Sequence, residues 1–139
     1  MKELIIVRHC KSSWSDLSLS DYDRPLNKRG ERDGDIMSKE LSKKIKYVDL
    51  LISSSSKRTK LTSNFFIDKI NINKKEYRDD FYHSSSENII SILAKINNKI
   101  KSVMIIGHNP GFTDLVNSLT NINLFNLPTT GIVMVNVNI

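Results

Sequence analysis

At 139 residues the chain is long enough for one domain with a single core, and one domain over residues 1–139 is the expectation. Its 39% hydrophobic and 26% charged content suits a water-soluble globular protein and excludes a fibrous or disordered chain. The net charge of +6 favours acidic ligands, although lysines scattered over a solvated surface account for much of it. Cys10 is the only cysteine, so no intrachain disulfide can form. With no apolar run near the ~20 residues of a membrane helix and no leader-like opening, a cytoplasmic protein away from membranes is expected.

Residues Leu4, Ile5, Ile6 and Val7 form an apolar run with three β-branched members, which predicts a strand buried on both faces. It stops at Arg8 and His9. Ligands of open α/β sheets bind beyond the carboxyl ends of parallel strands, so a cation and an imidazole there mark a candidate phosphate site. The competing reading is a structural histidine beside an ordinary surface arginine. Residues 12–26 are polar and turn-rich and read as a loop. Asn27 is a candidate N-cap, and Ile36, Met37, Leu41 and Ile45 recur at helical spacing, predicting a helix over Lys28–Lys44. Gly30 weakens that helix but lets its start approach another backbone.

Residues 48–52 predict a second strand, ending in Ser53 to Ser56 and then Lys57-Arg58-Thr59. A helix follows, with Leu61, Phe65 and Phe66 on its apolar face and its end near Ile70. Residues 70–75 read as a polar break, 75–77 as a short edge strand, and 78–83 as irregular. Ser84 to Ser86 cap a helix whose face runs through Ile89, Ile90, Leu93, Ile96 and Ile100. Residues 102–106 form a third buried strand closing on Gly107 and His108. Pro110 suits the first position of the next helix, with Phe112, Leu115, Val116 and Leu119 on its apolar side. Residues 132–137 form the last strand. Strands alternating with helices predict a three-layer α/β/α fold with a largely parallel central sheet.

Parallel strands would bring Arg8 and His9, Ser54 and Arg58, and His108 to one sheet edge. Two arginines, a histidine and a helix start near Gly111 suit a dianionic phosphoryl group. The other histidine, if neutral, can attack phosphorus, provided its second ring nitrogen donates to a fixed acceptor.

These residues carry a resemblance to a known family. Val7-Arg8-His9 resembles the Arg-His signature of the histidine phosphatase superfamily, with its phosphoglycerate mutase-like fold, and is most similar to the small SixA-type phosphohistidine phosphatases. Arg24-Pro25-Leu26-Asn27 with Arg29-Gly30, Ser54 to Thr59, Gly107-His108-Asn109-Pro110-Gly111 and Pro128-Thr129-Thr130-Gly131 resemble its further blocks, in order and over nearly the whole chain. The resemblance implies a compact version of the fold without lid insertions. It implies a phosphatase in which His9 is the nucleophile and Arg8, Arg58 and His108 hold the phosphoryl oxygens, with no metal and no cofactor. Ser12, Asn109 and Thr130 would add substrate contacts. The substrate would be a phosphorylated protein, a phosphohistidine, or else a small phosphate ester.

Two positions depart from the family pattern. Cys10 stands where glycine or alanine is usual, and Ser55 where a proline is usual. The acidic proton donor of the family has no clear counterpart; Asp80 is the nearest, with Asp79 and His83 behind it, and each also reads as a solvated loop residue.

Other chemistries fit less well. A His-Cys-x5-Arg phosphate loop would need arginine at position 16, which is Asp16. No Gly-x4-Gly-Lys-Ser/Thr motif is present. A metallohydrolase would need a ligand cluster beside His9 and His108. Nucleic-acid binding rests on net charge alone. A non-catalytic phosphate-binding regulator on the same fold stays open.

Overall fold

The computed structural model describes residues 1–139. Its elements are β1 (Lys2–Arg8), α1 (Lys28–Lys44), β2 (Tyr47–Ser54), α2 (Lys57–Ile67), β3 (Asn71–Arg78), α3 (Ser86–Ala94), β4 (Ser102–Gly107), α4 (Gly111–Leu119) and β5 (Ile132–Val137). The five strands form one sheet in the order β3-β2-β4-β1-β5. The β1–β4, β2–β4 and β2–β3 pairs are parallel, and β5 closes the far edge antiparallel to β1. This is the α/β/α arrangement expected, with its sheet largely parallel.

Strand alternation divides the core into two layers. Leu4 and Ile6 of β1 point to the face covered by Ile89 and Leu93 of α3 and by Phe112, Leu115 and Val116 of α4. Ile5 and Val7 point to the opposite face, where Leu41 of α1 and Phe66 of α2 pack. The middle residues of β1, β2 and β4 are therefore a continuous apolar run, as strands buried on both faces require.

The caps of α1 follow the sequence: the Asn27 side chain accepts from the Gly30 amide at 2.8 Å. Gly30 is needed for a second reason. A Cβ there would lie 2.1 Å from the Lys11 carbonyl oxygen, so the start of α1 packs directly on the backbone two residues past His9.

Three boundaries differ from expectation. Strand β3 begins at Asn71 and runs eight residues, across the stretch read as a polar break. It is an edge strand paired only to β2, so alternating polar residues face solvent and mask the pattern. Helix α3 ends at Ala94, and Ile96 and Ile100 reach the core from the turns beyond it. Pro110 precedes α4 rather than opening it, and its peptide bond with Asn109 is cis.

Candidate active site

The carboxyl ends of β1, β2 and β4 lie side by side, with Arg8 paired to Gly107 across β1 and β4. Beyond them opens a cleft of about 260 Å³. Its wall includes Arg8, His9, Ser12, Arg58, His108 and Asn109 from the sequence-predicted set. Lys11, Trp14, Asp21, Arg24, His83 and Thr129 complete it.

His9 is 7% exposed. Its Nδ1 lies 2.7 Å from the Cys10 carbonyl oxygen. A carbonyl can only accept, so Nδ1 carries the proton and Nε2 keeps its lone pair. Burial lowers the His9 pKa to about 3; the Arg58, Arg8 and Arg24 cations add to that fall, and the Cys10 carbonyl opposes it. His108 is held in the other tautomer. Its Nδ1 is 3.4 Å from an Arg58 Nη, which can only donate, so Nε2–H donates to Ser54 Oγ at 2.8 Å. Burial, then the neighbouring His9 and Arg58, lower the His108 pKa to about 2. The two rings are 5.3 Å apart.

Three arginines surround these histidines. Arg58 donates from Nη1 to the Asp21 carbonyl at 2.6 Å and from Nη2 to the Asp21 carboxylate at 3.0 Å. Arg24 donates to Ser12 Oγ at 2.8 Å and to the Asp21 carboxylate at 2.9 Å, and its guanidinium stacks 3.6 Å over the Trp14 ring. Arg8 donates to the Leu127 carbonyl at 2.9 Å. The Nε atoms of Arg8, Arg24 and Arg58 are buried without a hydrogen-bond partner. Buried donors of this kind are costly unless a ligand satisfies them, and an oxyanion is the matching chemistry.

Asp21 was not singled out by the sequence, yet it is the hub of the cleft. Its carboxylate also accepts from Tyr82 and lies 3.1 Å from His83 Nε2. Burial works to raise its pKa, but the hydrogen bonds from Tyr82, Arg24 and Arg58 outweigh it and hold Asp21 well below the usual carboxylate range. It sits in a short 3-10 turn inside a loop without periodicity, and only the fold brings it to the arginines.

Three sequence candidates stand elsewhere or are otherwise engaged. Asp80 does not line the cleft; Arg78 grips it through Nε at 2.8 Å and Nη2 at 2.7 Å, and that bond depresses its pKa, which is the wrong direction for an acid. Thr130 is buried behind the wall, its amide donating to the Arg8 and His9 carbonyls, while Thr129 faces the cleft. Asn109 lines the cleft, but its amide is committed to capping α4 at Thr113 and to Asn126 and Leu127. Cys10 is fully buried, and burial pushes its thiol pKa up, so it is unsuited to be a nucleophile. No group of three or more His, Cys, Asp or Glu is placed to hold a metal ion. No helix is long and apolar enough to cross a membrane.

The buried neutral histidines make stability depend on pH. Both folded pKa values lie below the unfolded 6.5, so the unfolded chain binds more protons between about 6.5 and about 3, and stability falls as pH drops through that window. Asp21 loses its contribution only at lower pH, because its pKa is depressed below the ordinary carboxylate value. Thermal unfolding should show a lower Tm at about pH 5 than at about pH 7.5, with the difference reduced in a His108→Gln variant. An unchanged Tm would contradict two buried neutral imidazoles.

A family model described as "Histidine phosphatase superfamily (branch 1)" matches residues 4–81. An uncharacterised chloroplastic protein of Arabidopsis thaliana is 32% identical over 129 residues, covering 86% of this chain. The chain spans 59% of that relative's length. Among solved structures, a candidate phosphohistidine phosphatase SixA from Agrobacterium tumefaciens superposes with a TM-score of 0.86 at 26% identity, covering 97% of this chain and 91% of its own. The protein histidine phosphatase SixA in complex with tungstate shares the fold, with a TM-score of 0.84 at 23% identity over 98% and 88% of the two chains. The chain belongs to the histidine phosphatase superfamily, branch 1.

Proposed function

We propose that this protein, a single domain over residues 1–139, is a phosphatase that takes a phosphoryl group onto His9 and releases it to water. The carrying observation is the 2.7 Å contact of His9 Nδ1 with the Cys10 carbonyl, which leaves Nε2 unprotonated among arginines. Attack by Nε2 on phosphorus forms the N–P bond as the bond to the leaving group breaks. Arg8 and Arg58 stabilise the charge on the equatorial oxygens. His108 can add a donor at Nδ1 once protonated. Burial, then His9 and Arg58, now suppress that protonation, and a bound dianion would favour it. Water then attacks the phosphohistidine. The chemistry calls for no metal, and activity should be indifferent to chelators.

The substrate we assign is phosphohistidine on another protein. The loops after β1 and α4 carry exposed apolar side chains. Trp14 lines the cleft and is 64% exposed, and Leu17 follows it on the same loop. Phe125, next to the Asn126 that bonds Asn109, is fully exposed. Exposed apolar side chains on these loops suit a protein surface better than a small ester. The formal charge of +6 adds attraction to an acidic partner. The tungstate complex of SixA, a tetrahedral oxyanion on the same fold, supports the phosphoryl reading.

The test is competition between a phosphorylated histidine-containing domain and a panel of sugar phosphates and phosphoglycerates. The phosphoprotein should have the higher kcat/KM. A small ester turned over about tenfold faster, well below the diffusional ceiling, would overturn the protein-substrate assignment. Small phosphate esters are the second reading, and a non-catalytic phosphate-binding protein the third.

A further inference from the structure

We infer that His83, oriented by Asp21, donates the proton that the leaving group needs. The inference rests on the phosphatase reading and names the acid that reading lacks. His83 lines the same cleft as the nucleophile, and both rings neighbour His108: the His83 ring centre is 5.1 Å from that of His108, and the His9 ring centre is 5.3 Å from it. The half-exposed His83 side chain can exchange protons with solvent.

Its neighbours suit the role. His83 Nε2 is 3.1 Å from the Asp21 carboxylate, and the Tyr82 and His108 rings lie beside it. When the ring carries both protons, the carboxylate accepts from Nε2–H and the proton on Nδ1 is the one free for transfer. The two nearby carboxylates and His108 are otherwise engaged. Asp21 is held ionised by Tyr82, Arg24 and Arg58, Asp80 is forked to Arg78, and His108 Nε2 is bonded to Ser54.

The backbone independently marks this residue. His83 has φ of 51°, in the left-handed region that bulky L residues rarely adopt. The next residue is locked in place. Gly111 has no side chain because a Cβ would lie 2.0 Å from the Ser84 carbonyl oxygen, so the start of α4 packs against the segment that carries His83.

The step balances simply. As the bond from phosphorus to the leaving oxygen or nitrogen breaks and the His9 Nε2–P bond forms, the His83 proton moves to the departing atom. His83 is then neutral, and it recovers a proton from the water that attacks phosphohistidine.

The experiment compares kcat/KM for phenyl phosphate and 4-nitrophenyl phosphate, because kcat/KM reports the step that expels the leaving group. Nitrophenolate leaves without a proton far more readily than phenolate. His83→Asn keeps a residue that tolerates the left-handed backbone and can still donate to Asp21, but it has no transferable proton. Its loss on phenyl phosphate should exceed its loss on the nitrophenyl ester by about tenfold or more. Asp21→Asn should shift the ratio the same way. Equal losses on both esters, no loss, or a wild type that hydrolyses neither ester would overturn the inference. His9→Ala run in parallel separates the two claims. Activity that survives without His9 overturns the phosphatase reading, whereas an unshifted ester ratio with His9 essential overturns only the role of His83.

Discussion

His9→Ala should fold and lose at least about a thousandfold in turnover, because a missing nucleophile cannot be replaced by the residues that bind charge. The wild-type protein, quenched during turnover, should carry acid-labile phosphate, and the alanine variant should carry none. The geometry makes the expectation specific. Only Nε2 of His9 is free, since Nδ1–H is spent on the Cys10 carbonyl, and the neutral form persists down to a pH of about 3 because burial and three guanidinium groups oppose protonation. The activity should therefore show no acidic limb near the ordinary histidine value that could be assigned to His9. A second consequence follows from linkage. Removing a buried neutral imidazole removes one of the two groups that make the fold acid-sensitive, so the variant should lose less Tm on acidification than the wild type. A purified, folded His9→Ala protein with near-wild-type turnover would reject His9 as nucleophile, and labelled phosphate surviving in that variant would point to another acceptor.

The parts legible in the sequence are those where local pattern and burial agree. The apolar runs of β1, β2 and β4 are buried on both faces, so nothing interrupts them. Helix α1 begins after a cap its own sequence supplies, and β5 spans the run that predicts it. His9, Arg58 and His108 converge on one cleft because parallel strands place their carboxyl ends together. What escaped belongs to residues with no period to read. β3 is polar because it is an edge. Asp21 and Trp14 lie in a loop, and their partners Arg58 and Arg24 are fixed by tertiary packing. His83 was noted behind Asp80, but its left-handed backbone and its carboxylate partner are three-dimensional facts. Asp80 is the nearest acidic candidate in the sequence, and its pairing with Arg78, two residues back, is visible only in the structure.

Arg58→Lys should cost ~10²–10³ in rate although the charge is retained. Arg58 is a side chain only 3% exposed that does two things at once. One edge of its fork is anchored by the Asp21 carbonyl at 2.6 Å and the Asp21 carboxylate at 3.0 Å. That anchoring fixes the plane of the guanidinium against His108, and its Nε stays buried without a partner. A lysine has one nitrogen to divide between Asp21 and a phosphoryl oxygen. If it satisfies Asp21, the transition state loses a clamp; if it turns to the phosphoryl group, the partly exposed Asp21 carboxylate loses a cation and the loop that carries it loosens. Both routes lower the rate, and they leave different traces. The first weakens phosphate binding with little change in Tm. The second also lowers Tm, because the hydrogen bonds that tie the Asp21 loop to a buried side chain are lost. Steady-state kinetics, phosphate titration and thermal unfolding of the one variant distinguish them. A lysine variant with unchanged kcat/KM and unchanged phosphate affinity would remove Arg58 from the phosphoryl site and leave it as a brace for Asp21.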